Sequence, residues 1–264
     1  GTTSQYIYID DFKWEVIPTC PWPTAFTSSN IQDVQATFAW TEMGTATEWQ
    51  IEYGATGHTP GTGTIVPGIT TNPYTVTGLT GSTVYQFYVR AICGPGDTSS
   101  WTGPLSVTTT CSLVSSFFEN FDAVTTPNFP TCWYKVGTTG STYTQTSNNF
   151  SAPNCLYIYS SSTSAIAMVS LPPVNNAGAN THQLRFMARA NLTANGVLEF
   201  GYLTDPSNQA SFVLIESFTM PSLTYTEFIS YPGTSVGSNT VFAFRHTGSP
   251  ANSILIDNVY WEPR

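Results

Sequence analysis

The stretch VYQFYVRA at 84–91 alternates without a break. Tyr85, Phe87, Val89 and Ala91 fall on one side, and Gln86, Tyr88 and Arg90 on the other. Residues two apart share a side only in extended chain, so the stretch reads as a strand with one face turned to a core. ATEWQIEYG at 46–54 behaves alike, bringing Trp49, Ile51 and Tyr53 together, and VLEFGYL (197–203) and VFAFRH (241–246) add further strands. Such runs, rich in Val, Ile, Tyr, Phe and Thr, are separated by clusters of Gly, Pro, Asn and Ser. Hardly any stretch has a helical period. The pattern predicts an all-β chain built as sandwiches.

At 264 residues the chain has room for two domains, each with its own core. Charged residues make up only 9%, and the net charge is −9. That balance argues against nucleic acid, whose phosphates need a face rich in Lys and Arg. It suits a cation-binding or solvent-facing extracellular protein. No apolar run approaches the roughly 18 residues of a membrane span. The chain starts with Gly and shows no signal peptide, which is expected of a processed piece of something larger. The five cysteines are Cys20, Cys93, Cys111, Cys132 and Cys155. They form no C-x-x-C pair and have no histidine nearby, which argues against zinc. Their wide spacing reads as structural disulfides formed in an oxidising compartment, with one thiol left over.

From Cys20 to about Thr110 the runs ATFAW (36–40), EWQIEYG (48–54), YTVTGL (74–79), TVYQFYVRAIC (83–93) and PLSVTT (104–109) follow in order. This succession resembles a fibronectin type III domain. Trp40 falls where that family buries a tryptophan on its second strand, and Leu79 with Tyr85 fits its Leu-to-Tyr corner. A large ring fills the space between two sheets about 10 Å apart, and a tyrosine hydroxyl satisfies a backbone group at a strand corner. From Cys111 the texture changes to SFFENFDAVTTPNFPTCW, APNCLYIYSS, MVSLPPV, HQLRFMARA, VFAFRHT and ILIDNVYW. This part resembles the jelly-roll cleaved-adhesin domains, which include the haemagglutinin-adhesin modules of gingipains and are akin to MAM domains. ENFD…P.CW, AFRH and IDNV carry that resemblance most specifically, and it implies a secreted Bacteroidota protein. The expected organisation is a fibronectin type III sandwich over 19–111 and a jelly roll over 112–264.

The two ends match as well. YIYIDDFKWEVIP (6–18) lies on SILIDNVYWEPR (253–264), with Ile9 on Ile256, Asp10 on Asp257, Trp14 on Trp261 and Glu15 on Glu262, an offset of 247 residues. Residues 1–18 therefore read as the last strand of a preceding jelly roll, and the chain as one period of a tandem array. A strand with no seat in its own sheet is expected to complete a jelly roll elsewhere, in the preceding repeat or a neighbouring molecule.

Glu119 and Asp122 on the first jelly-roll strand and Asp257 on the last are the candidate metal ligands. First and last strands of such folds commonly lie side by side, and clustered carboxylates suit a hard cation. The resemblance implies a structural Ca²⁺ there; the alternative is that Asp257 caps a bulge while Asp122 is solvated. His58, His182 and His246 lie near no recognisable nucleophile, no G-x-S-x-G occurs, and no catalytic residue is expected. His246 reads as a strand-end hydrogen-bonding residue. Type III geometry implies a Cys20–Cys93 bridge. Cys111–Cys132 would staple the linker onto the second domain, leaving Cys155 as the spare thiol, with Cys132–Cys155 as the rival pairing. Trp22, Trp101 and Trp133 are expected to pack the domain junctions. Tyr134, Tyr143 and Tyr202 are candidate sugar platforms, with a core or rim role as the alternative. There is no RGD triplet, and the sequons at Asn149 and Asn191 mean little in a bacterial protein. Two functions follow: a non-catalytic segment of an extracellular adhesin, stalk or filament whose partners are neighbouring repeats and a glycan or host ligand, or an ancillary carbohydrate-binding region of a large secreted enzyme.

Overall fold

A computed structural model of the chain describes Asp10 and residues 18–264. The expectation that residues 1–18 complete another jelly roll falls, apart from Asp10 and Pro18, outside the described residues. Those residues form two compact units that divide between Thr110 and Cys111, and they contain no α-helix.

The first unit has eight strands: β1 (Thr24–Ser29), β2 (Gln35–Thr41), β3 (Glu48–Ala55), β4 (Thr64–Ile69), β5 (Tyr74–Thr77), β6 (Val84–Gly94), β7 (Asp97–Thr98) and β8 (Thr102–Thr108). One sheet runs β1-β2-β5; the other runs β4-β3-β6, with β7 and β8 both pairing β6. The alternation read in β6 holds: Phe87, Val89 and Ala91 are buried with Trp49 and Ile51 of neighbouring β3 and with Phe38 and Trp40 of β2 in the other sheet. Trp40 packs edge-on against Trp49 with ring centroids 5.5 Å apart. At the corner before β6 the Tyr85 hydroxyl accepts the Thr80 N–H at 3.0 Å. A disulfide joins Cys20 to Cys93.

The second unit has eleven strands: β9 (Phe117–Glu119), β10 (Tyr134–Lys135), β11 (Ser141–Gln145), β12 (Cys155–Tyr159), β13 (Ala167–Ser170), β14 (His182–Ala190), β15 (Gly196–Leu203), β16 (Phe212–Met220), β17 (Thr226–Ser230), β18 (Val241–His246) and β19 (Ile254–Pro263). They form a jelly-roll sandwich of two sheets, β10-β13-β18-β15-β16 and β11-β12-β19-β14-β17, with β9 beside the end of β19. Period-2 alternation in β14 and β15 turns Leu184, Phe186, Leu198 and Phe200 inward, where Phe242, Phe244 and Trp261 complete a dry core. Trp261 keeps its indole N–H satisfied on Asn176 Oδ1 at 2.8 Å. Cys111 and Cys132 form the second disulfide, and Cys155 is free and buried.

Candidate functional site

The candidate carboxylates sit where the first and last jelly-roll strands meet. β9 runs antiparallel to β19 and places Glu119 opposite Val259. Burial, then the charges of Asp122 and Asp257, push the Glu119 carboxyl above its ordinary range, against a lowering contribution from the Phe121 N–H. Asp122 and Asp257 are both tied to the loop at 148–154, through Asn154 and through Phe150 and Ser151.

Their acceptor positions are already in use. Ile256 and Val259 of β19 face the core, whereas Asp257 points outward yet is fully buried. The loop at 148–154 covers it. Oδ2 accepts the N–H groups of Phe150 (2.8 Å) and Ser151 (3.0 Å). Oδ1 accepts the Ser151 hydroxyl (3.1 Å) and the Asn258 N–H (2.7 Å). Burial raises the carboxyl above its usual range, and the backbone donors oppose that. Asp122 accepts the Asn154 N–H at 3.0 Å and the Asn120 amide at 2.7 Å, and Glu119 accepts the Phe121 N–H at 2.6 Å. Asp257 thus serves as a loop anchor, with four donors on its two oxygens. Among the described residues no group of three or more His, Cys, Asp or Glu side chains is arranged to hold a metal ion.

The histidines are likewise engaged. His246 is fully buried, donates from Nε2 to Asn252 O at 2.8 Å and accepts the Gly248 N–H on Nδ1 at 3.1 Å. Burial holds it below its ordinary pKa, so the ring is neutral in the fold. His182 stacks on Trp261, with centroids 5.6 Å apart. His58 sits edge-on to Tyr88, and its Nε2 lies 3.8 Å from Glu52 without a hydrogen-bond partner. Burial raises the Cys155 thiol to about 11, which keeps it protonated and unreactive at neutral pH.

Glu52 escapes sequence reasoning. It alternates onto the outward face of β3, yet it is fully buried. Both its oxygens accept the Gly61 N–H, at 2.7 and 2.8 Å, and Oε1 also accepts the Gly63 N–H at 2.8 Å. A Cβ on Gly63 would stand 2.5 Å from Tyr53 O, so only glycine brings that backbone so close. The available signal is GATGHTPGTG (54–63), a glycine-rich loop beside a strand acid.

The aromatic side chains divide differently from the expectation. Trp133 is core, packed edge-on to Phe121 at 5.2 Å. Trp101 lies under the Arg90 guanidinium at 4.5 Å, and Gln50 Oε1 accepts Arg90 Nη2–H at 2.7 Å. Trp22, expected to pack a junction, is 50% exposed. Tyr143 stacks on Tyr157 at 4.7 Å, Tyr202 leans on the core and Tyr134 stands exposed. A further column passed unnoticed in the sequence: exposed Phe118 stacks on Tyr260 at 4.3 Å, and Arg185 covers the Tyr260 ring at 3.9 Å. Arg185 Nε–H donates to Glu262 at 2.7 Å, which keeps the Glu262 carboxyl below its usual range.

Residues 21–108 match the family model described as the fibronectin type III domain. No curated protein matches the chain. Among solved structures, the K1 cleaved adhesin domain of Lys-gingipain from Porphyromonas gingivalis W83 is 13% identical, covering 57% of this chain and 99% of its own, with a TM-score of 0.43. The K2 domain of the same protein is 15% identical over 56% of this chain and 99% of its own, with a TM-score of 0.44. The CBM22-1 xylan-binding domain of Paenibacillus barcinonensis Xyn10C is 10% identical over 56% of this chain and 92% of its own, with a TM-score of 0.41. Likeness of this degree carries no argument about ligands.

Proposed function

We propose that this chain is a non-catalytic recognition segment of an extracellular protein, within a bacterial surface adhesin, stalk or filament built of alternating sandwich and jelly-roll repeats. One observation carries the reading: polar and aromatic groups are allotted to opposite tasks. Glu52, Asp257 and His246 are each engaged by backbone of their own unit. Trp22, Phe118, Tyr134 and Phe150 instead offer large apolar surface to solvent. The two disulfides favour an oxidising compartment.

Calcium enters this proposal only at Glu119 and Asp122, whose carboxylates accept fewer protein donors than the four on Asp257. A calcium-dependent rise in Tm that Glu119→Gln abolishes supports the ion; no rise removes it. The second reading, an ancillary carbohydrate-binding region of a large enzyme, is favoured by the exposed aromatic rings. Binding of the full chain to arrays of host proteins and glycans tests the recognition role, and a chain that binds neither overturns it. Flanking sequence separates the two settings: further copies support the array, an adjoining hydrolase domain the enzyme.

A further inference from the structure

A trench opens along the side of the first unit where its two sheets meet. Strands β1 and β8 are the edges there, and each departs from regular pairing. The β1–β2 register shifts between Thr24 and Thr27, and the β6–β8 register shifts between Phe87 and Val89. Within the first shift Ala25 adopts φ +49, a left-handed conformation that is strained for a non-glycine residue. Gly103 adopts φ +144, and a Cβ there would stand 2.7 Å from Phe87 O. The two edges are tied across the seam by the Thr102 hydroxyl, which donates to Pro23 O. Bulges re-aim side chains at sheet edges, and here they hold a space open.

That space is about 560 Å³, with Trp22, Thr24 and Ala25 on one side and Ser100, Trp101 and Gly103 on the other. The volume lies within the roughly 300–1,000 Å³ common for ligand sites. No charged side chain lines it. Trp22 also walls a second hollow of about 280 Å³ with Pro21 and Met43. Trp101 is held flat by Arg90, which is itself fixed on Gln50, so one wall is preorganised. Among the described residues the indole N–H groups of Trp22 and Trp101 and the hydroxyls of Thr24 and Ser100 make no hydrogen bond to protein.

We propose that this trench is a binding site for a neutral glycan chain. Ring faces suit the apolar faces of pyranoses, and the free indole N–H and hydroxyl groups suit their equatorial oxygens. An uncharged lining on a chain of net charge −9 disfavours uronic, sialylated or sulfated sugars. The inference rests on the recognition reading above and gives it a location and a ligand class.

The test titrates the full chain with neutral hexasaccharides of glucose, xylose and mannose, following tryptophan emission and calorimetry. At least one series should bind. Trp22→Ala should weaken it roughly tenfold or more, and Trp22→Phe should retain part of the affinity. Because Trp22 is half exposed, both variants should fold with an unchanged Tm. Glycan binding that Trp22→Ala leaves untouched overturns the trench while keeping the recognition reading. Absence of binding to all three series, or displacement of bound sugar by a proline-rich peptide of higher affinity, overturns the glycan assignment.

Discussion

In the first unit the loop at 57–63 folds over the outward face of β3 and is held by one buried acid, Glu52; in the second, the loop at 148–154 folds over the outward face of β19 and is held by Asp257. Both carboxylates are buried and accept backbone N–H groups of the loop that covers them. The surroundings differ. Asp257 lies among other acids, Glu119 and Asp122, above a continuous aromatic core. Glu52 stands with one histidine, and its unit has a smaller core and an open seam between β1 and β8. A buried acid in a β-sandwich therefore need not mark catalysis or metal. What covers it decides its use.

The largest test of this contrast is removal of each disulfide. Replacing Cys20 and Cys93 by alanine opens a loop of 73 residues and should cost about 4 kcal/mol. Replacing Cys111 and Cys132 opens one of 21 residues and should cost about 3 kcal/mol. Denaturant unfolding should therefore show the smaller-cored unit to be the more dependent on its bridge. A larger loss in the second unit would break the comparison.

Next come the two acids. Asp257→Asn keeps the shape but offers one acceptor oxygen to donors that now occupy two, and it sets an amide N–H₂ against them. The expected loss is about 3 kcal/mol. Glu52→Gln keeps one oxygen for the Gly61 and Gly63 N–H groups and should cost about 2 kcal/mol, with faster amide exchange confined to 57–63. Equal exchange throughout the first unit would show that Glu52 supports more than its loop.

These two acids also show how far the sequence could be read. The tyrosine corner at Tyr85 comes with the resemblance to the type III family, whereas strand identity follows from alternation, because period 2 reports which side of a sheet a residue takes. It does not report what lies over that side. Glu52 and Tyr88 alternate outward and are nevertheless buried, because the loop carrying His58 lies over them. Asp257 was legible as a residue of interest, but not as the acceptor for Phe150 and Ser151, more than a hundred positions away. Trp22 differs in the opposite direction: a tryptophan between two prolines looks like a packing residue, and half of its surface is exposed.

Protonation separates His246 from the buried acids of the same unit. Burial depresses its folded pKa below the ordinary 6.5, so the unfolded chain binds the extra proton first. Its contribution is complete above pH 6.5 and is lost as pH falls through the depressed value. Asp257 and Glu119 have raised values and act with opposite sign: their ionisation weakens the fold as pH rises through those values. The share of the pH profile that His246 carries should therefore climb towards pH 6.5 in the parent and disappear in His246→Gln. A pH profile left unchanged by that substitution would mean that the neutral ring is not what holds Gly248 and Asn252 together.

The smallest expected effect completes the comparison. Trp22→Ala removes from the trench the most exposed tryptophan ring among the described residues of the first unit. It should change unfolding free energy by no more than about 0.5 kcal/mol, as surface substitutions away from packed features do. An alanine at a core tryptophan such as Trp40 would cost several times that. A near-neutral result means that the fold does not need this large apolar ring, which leaves recognition as the reason for placing it between two bulged edges. A loss of several kcal/mol would instead make Trp22 part of the seal between the sheets, and the seam would then be a weak point of the sandwich rather than a site.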